Sequence, residues 1–253
     1  MLALGEVAYY EKKFTRDPLW SSREPNSDEA ARWLAIESIL SVLPADNSRR
    51  LLDVGCGRGW MTALAARYGM AQGLEPVAAV VAFARRSYPE CSFDTTSLSD
   101  LLVNETFRPF DVVLCSEVIE HIDRSLQPLF AKSLAAALAP EGWLILTTPR
   151  RDMFERWQWL RRLLPERLRG EPDQPVEELL TEQEMGSLLQ GSGLRVQFRK
   201  RAYVKFSALS PANALLGNFW VAALLRLKWM EPLRALCHQR WAVYQVWGAQ
   251  RMP

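Results

Sequence analysis

The chain has 253 residues, 49% hydrophobic and 24% charged, a balance that supports a packed core and excludes disordered and fibrous classes. Thirty-one basic against 29 acidic residues leave a net charge of +2, which gives no electrostatic case for a nucleic-acid partner. The four cysteines, Cys56, Cys91, Cys115 and Cys237, form neither a C-x-x-C pair nor a dense framework, as expected of a cytoplasmic protein without a metal ribbon.

Residues 1–48 read as an N-terminal arm and lid helix ahead of a domain over 49–253. The start carries Glu6 in a short apolar stretch and lacks a basic run, so no secretory signal is expected. Polar residues from Ser22 to Ser27 break the chain before Trp33, Ile36, Leu40 and Leu43 recur at helical spacing. Short apolar runs then predict strands at 51–54, 72–75, 91–94, 110–115 and 143–148, with helices near 59–68, 77–87 and 125–138. Such alternation predicts an α/β fold, a parallel sheet with helices on both faces.

A basic aromatic insertion follows at about 150–180. Between Arg150 and Gly170 seven arginines interleave with Met153, Phe154, Trp157, Leu160 and Leu164. An interfacial membrane helix, a lid and an ordinary amphipathic helix all fit that pattern. Thr181-Glu-Gln-Glu184 is a capping box, opening a helix that ends at Gly191 and Gly193. Residues 194–204 and 241–249 read as strands pairing antiparallel at one sheet edge, with helices at 211–228 and 231–240 between them. The uncharged run from Phe206 to Leu225 contains Ser, Pro, Asn and Gly and reads as loop plus helix, not a membrane span. Phe219, Trp220, Trp229, Trp241 and Trp247 read as core or as the wall of a hydrophobic pocket.

Residues 51–59, LLDVGCGRG, run from a buried strand into Gly55, Gly57 and Gly59 before a helix. Glycines there let a ligand approach the backbone, and a helix N-terminus offers free N–H groups to an anion. Glu75 follows Asp53 by 22 residues, the place where a βαβ carboxylate receives both hydroxyls of a ribose. The third glycine comes one residue too early for the dinucleotide pattern G-x-G-x-x-G, which argues against a nicotinamide cofactor.

In these residues the chain resembles the class I S-adenosylmethionine-dependent methyltransferases over about 49–204. The resemblance implies a Rossmann-like, doubly wound, mostly parallel sheet with an antiparallel C-terminal edge strand. It implies S-adenosyl-L-methionine as cofactor, with Asp53, Gly55, Gly57 and Gly59 at the methionine end and Glu75 on the ribose. In SLSDL, Ser97 stands where the family often has an acid near adenine, and Leu98 would supply a backbone N–H and an apolar wall. Tyr9, Tyr10, Phe14 and Trp20 would close over the cofactor, as N-terminal helices do in this superfamily.

After the strand at 110–115 come Ser116, Glu117, Val118, Ile119, Glu120 and His121. The strand end is where open α/β sheets bind ligands, and Ser116 is expected beside the cofactor. One helical turn would put Glu117, Glu120 and His121 near one face, a set able to hold a divalent metal such as magnesium. Methyl transfer to oxygen requires the hydroxyl to lose a proton, and a phenol with pKa about 10 keeps it at neutral pH. His121 as base, or a metal held by the three residues, would each meet that need. E-x-x-E-H is similar to the pattern of the ubiquinone-biosynthesis O-methyltransferases and of the small-RNA 3′-end 2′-O-methyltransferases. The second family expects a further downstream histidine, and His238 lies far along the chain. The expected activity is therefore O-methylation of a small apolar or glycosidic acceptor, with peripheral membrane contact through 150–170. N- or C-methylation, RNA-tail methylation and a non-catalytic cofactor-binding subunit are the alternatives.

Overall fold

The computed structural model describes residues 4–17, 21–44, 46, 48–162, 178–204 and 242–252. The arm expected at the start is helical, α1 (Leu4–Arg16), with Lys13 and Arg16 in its last turn, where cations meet the negative end of the helix dipole. Helix α2 (Ser27–Leu40) opens on Asn26, whose side chain accepts from Asp28 and Glu29 N–H while Glu29 returns to the Asn26 N–H.

Seven strands form one sheet in the order β3-β2-β1-β4-β5-β7-β6. They are β1 (Arg50–Val54), β2 (Met70–Leu74), β3 (Ser92–Asp94), β4 (Phe110–Ser116), β5 (Leu138–Pro149), β6 (Leu194–Val204) and β7 (Ala242–Arg251). The first five run parallel, and β7 pairs antiparallel with both β5 and β6. The predicted antiparallel pairing of the last two strands is present, with β6 outermost. Helices α3 (Trp60–Ala65), α4 (Ala78–Ser87), α5 (Leu98–Leu102), α6 (Gln127–Ala136), α7 (Arg151–Arg162) and α8 (Glu182–Gly191) complete the described elements. The helices expected at 211–228 and 231–240, together with Trp20, Leu164 and the arginines beyond 162, lie outside the described residues.

The core divides by strand periodicity. Leu51, Val112, Leu114, Ile145 and Val246 pack with Trp33, Ile36, Ile39 and Leu40 of α2 and with Val81 and Ala84 of α4. The alternating residues Leu52, Val54, Val113, Leu144 and Leu146 pack with Leu134 of α6 and Met185 and Leu189 of α8. Neighbouring strand residues face opposite layers, so these nearly unbroken apolar strands bury both faces. Each fully buried aliphatic side chain contributes about 1.5–3 kcal/mol. Since α2 shares the first layer, the segment before residue 48 contributes directly to the core of the sheet domain.

Candidate functional site

β1 ends at Val54, and the chain turns through Gly55, Gly57 and Gly59 at φ of +72°, +51° and +88°. These left-handed conformations fall to glycine because a Cβ there is strained. Space adds to the requirement at Gly55, where a Cβ would meet Val118 Cγ2 at 2.5 Å. The Gly55 and Cys56 N–H groups both donate to the Leu74 carbonyl at 2.9 Å, which fixes the loop to the end of β2.

Two carboxylates meet beneath this loop. Asp53 is 1% exposed; its Oδ2 accepts from Thr62 Oγ1 at 2.6 Å, while its Oδ1 is buried with no hydrogen-bond partner. Glu75, just past β2, accepts from the Gly57 N–H at 3.3 Å and the Val77 N–H at 3.0 Å. Burial pushes both carboxyls up to about 7; the neighbouring Glu75 charge adds to the rise at Asp53, and the two N–H donors oppose it at Glu75. A buried carboxylate oxygen without a partner is costly and is satisfied by a donor or a cation. Loop and carboxylates together fit a ligand carrying an ammonium or sulfonium charge and a sugar diol.

Ser97 caps α5, accepting from the Asp100 N–H and donating to the Asp100 carboxylate at 2.6 Å, with Leu98 buried behind it. Its hydroxyl is thus already engaged, leaving the Leu98 backbone and side chain as the surface expected near adenine.

The end of β4 differs from the expected helical turn. Glu117 has φ of +57°, and only Ile119–His121 form a single 3₁₀ turn. An acid held in the left-handed region is the kind of strain found at functional sites. Thr147 Oγ1 donates to Glu117 Oε1 at 2.9 Å, and Thr148 Oγ1 donates to Glu120 Oε2 at 3.0 Å. Consecutive residues of β5 point to opposite faces, so the two carboxylates are engaged by separate hydroxyls, while the Glu120 charge still adds to the rise at Glu117. Among the described residues no group of three His, Cys, Asp or Glu is arranged to hold a metal ion. A single 3₁₀ turn thus replaces the helical turn expected to bring Glu117, Glu120 and His121 to one face, and each acid is engaged by its own threonine.

Sequence reasoning missed what holds Glu117. Arg32 of α2 is buried, with Nη1 3.5 Å from Glu117 Oε1 and 3.4 Å from Ser116 Oγ, and its guanidinium stacks 4.9 Å from the Tyr244 ring. Ser116 Oγ also lies 2.7 Å from Thr147 Oγ1. Burial pushes Glu117 up to about 8 although Arg32 pulls the other way. His121 is half-buried, its ring 6.1 Å from that of Tyr10 in an edge-on arrangement. Tyr10 stacks in turn on Phe14, whose ring would touch a Cβ on Gly57 at 3.4 Å. Helix α1 therefore packs against the loop through Phe14 and against the histidine through Tyr10. A groove of about 550 Å³ between α6 and α8, lined by Arg124, Gln127, Lys132 and Leu188, includes none of the candidate residues.

A family described as a methyltransferase domain matches residues 27–197. The mitochondrial ubiquinone biosynthesis O-methyltransferase of Rattus norvegicus is 28% identical over 164 residues, covering 58% of this chain and 45% of its own length. The ubiquinone biosynthesis O-methyltransferase of Haemophilus ducreyi is 31% identical over 113 residues, covering 42% and 47%. The chain thus spans less than half the length of these curated relatives. Among solved structures, an N-methyltransferase from Bradyrhizobium japonicum in complex with S-adenosyl-L-homocysteine superposes with a TM-score of 0.63 at 15% identity, covering 97% of this chain and 98% of that one. Magnesium protoporphyrin IX methyltransferase from Synechocystis, with the same product bound, gives 0.58 at 15% identity, covering 96% and 92%. At such identities the likeness is one of fold.

Proposed function

The chain belongs to the methyltransferase-domain family, and from that premise we propose that it moves a methyl group from S-adenosyl-L-methionine to an oxygen of a small apolar or glycosidic acceptor. The observation that supports this most is the glycine loop resting on two buried carboxylates, one of which keeps an oxygen without a partner. Asp53 with Gly55, Gly57 and Gly59 would hold the methionine end, Glu75 the ribose, Ser97 and Leu98 the adenine side, and Ser116 the wall at β4. When bound, the cofactor supplies an electrophilic methyl group on a positively charged sulfur.

The chain's own residues do the rest. Asp53 and Glu75 neutralise a cationic ligand in a site that burial makes poor in counter-charge. His121, at the end of β4 beneath Tyr10, accepts the proton of the acceptor hydroxyl as the oxygen attacks in line. Glu117 and Glu120, each held by its own threonine of β5, would shape the floor beside it. The E-x-x-E-H pattern and the ubiquinone-pathway relatives favour oxygen over nitrogen or carbon as the methylated atom.

Titration calorimetry with S-adenosyl-L-methionine tests the cofactor assignment. Glu75→Ala should weaken binding by roughly tenfold or more, the value of a hydrogen bond to a charged group; equal affinity removes the ribose role. Labelled cofactor incubated with cell extract identifies the acceptor by what becomes labelled. Helix α7 would also contact an anionic lipid surface, since Trp159 is 61% exposed beside the exposed Arg156. Failure to pellet with anionic vesicles refutes it. Among the described residues no helix is long and apolar enough to cross a membrane.

A further inference from the structure

Resting on the methyltransferase reading, we propose that Arg58 is a positioning residue that joins docking of the N-terminal arm and occupancy of the cofactor loop into one equilibrium. Arg58 stands between two left-handed glycines, Gly57 and Gly59, so its backbone belongs wholly to the loop. Its side chain belongs to the arm. Only 1% exposed, it donates from Nε to the Ser22 carbonyl at 2.6 Å and from Nη2 to the Glu24 carbonyl at 3.2 Å. Nη1 and Nη2 reach the two oxygens of Glu29 at 2.6 Å each. The planar fork of a guanidinium matches a carboxylate in this two-point way, which fixes direction as well as distance.

Glu29 is not an idle partner. It is the third residue of α2, and its Oε2 also accepts the Asn26 N–H, so one carboxylate closes the helix cap and holds the loop. A second tether comes from the C-cap of α4, where the Tyr88 hydroxyl donates to the Arg23 carbonyl and the Arg23 guanidinium lies 5.0 Å from the Tyr88 ring. From the other side Phe14 rests on Gly57. The arm thus grips the loop at two successive residues, Gly57 by an aromatic face and Arg58 by an ion pair. Gly57 is also the residue whose N–H meets the proposed ribose carboxylate, Glu75.

The coupling follows from burial. If the stretch 22–26 ahead of α2 lifts, Arg58 loses the Ser22 and Glu24 carbonyls and Glu29 loses the Asn26 N–H, partners that water-poor surroundings do not replace, so the loop and that part of the arm stand or fall together. Linkage is reciprocal: an arm that favours the ligand-ready loop must itself be held more firmly when the ligand is present, by the same factor.

The test uses the full chain and S-adenosyl-L-homocysteine, with hydrogen exchange of the α1 amides (residues 4–16) and calorimetry as readouts. In the wild type the ligand should slow α1 exchange. Arg58→Met/Glu29→Leu removes both charges together, a replacement that usually preserves folding. In that variant, ligand affinity should fall by about 5- to 150-fold, the usual size of a coupling between sites, and ligand-dependent protection of α1 should disappear. Glu29→Gln, which keeps shape and removes charge, gives the same comparison if the double variant does not fold. A folded variant that binds as the wild type and protects α1 equally overturns the inference, as does a wild type whose α1 exchange ignores bound ligand. A wild type that binds no ligand overturns the cofactor reading itself, and the coupling falls with it.

Discussion

Asp53→Asn should stabilise the ligand-free protein at pH 8 and cease to do so at pH 5. Burial raises the Asp53 carboxyl from 3.8 to about 7. The native state therefore keeps a proton that the unfolded chain has already released, and stability falls as pH rises through that window. About three pH units at roughly 1.36 kcal/mol each make ionised Asp53 oppose folding by about 4 kcal/mol well above pH 7. Below about pH 4 the opposition is gone, because both states are protonated. The amide keeps an oxygen for the Thr62 hydroxyl, but its NH₂ takes the unpartnered position of Oδ1, at a pH-independent cost of about 1–3 kcal/mol. The net gain at pH 8 is then about 1–3 kcal/mol, and the difference between wild type and variant shifts by about 3 kcal/mol between pH 5 and pH 8. Urea unfolding of both proteins without ligand at the two pH values measures this. An identical difference at both would refute the argument that the site holds an uncompensated charge in waiting for a cation.

Affinity for S-adenosyl-L-methionine should drop as pH falls below about 7, by about tenfold per unit for each carboxyl that must ionise, since Asp53 and Glu75 are both pushed up to about 7. Calorimetry between pH 6 and pH 8 checks the slope, and a flat profile contradicts it. His121→Ala should lower kcat by about 10²- to 10⁴-fold with ligand affinity unchanged, if it serves as the proton acceptor; turnover equal to wild type removes that role. Gly55→Ala adds a Cβ at φ of +72° that meets Val118 at 2.5 Å, and should destabilise by about 1–3 kcal/mol, readable by thermal unfolding. An unchanged melting curve would mean the loop relaxes freely. Treatment with EDTA should leave turnover intact, given that Glu117 and Glu120 are already engaged by the threonines of β5. Loss of activity restored by magnesium would return the three residues to a metal role.

The sheet was readable wherever burial on both faces writes itself as an apolar run, as in Leu51–Val54 and Phe110–Cys115, because such a signal is local. The glycine loop was readable for the same reason: its left-handed turns restrict residue type within five positions. α5 was hidden because a five-residue helix has too little periodicity to read, so SLSDL did not show that Ser97 is a helix cap. The E-x-x-E-H turn misled because spacing presumes a helix, whereas the left-handed Glu117 and the threonines of β5 are decided by a strand some 30 residues on. Arg58 looks like any loop arginine by type. Its burial depends on carbonyls 36 and 34 residues upstream, a relation no local pattern carries.

The paired hydroxyls of Thr147 and Thr148 work as a sorting device at the end of β5. They give neighbouring acids separate anchors, so a change in what one acid faces need not dislodge the other. On the Glu117 side sit Arg32, Ser116 and Tyr244, which under the proposed acceptor site would be open to rewriting for a new acceptor. On the Glu120 side the buried Thr148 hydroxyl holds the carboxylate and the buried Gln127 side chain ties the Ile119 carbonyl to that of Glu178 on the returning chain, side-chain duties that tolerate little revision. Diversification of this scaffold should therefore accumulate on one face of the strand and spare the other.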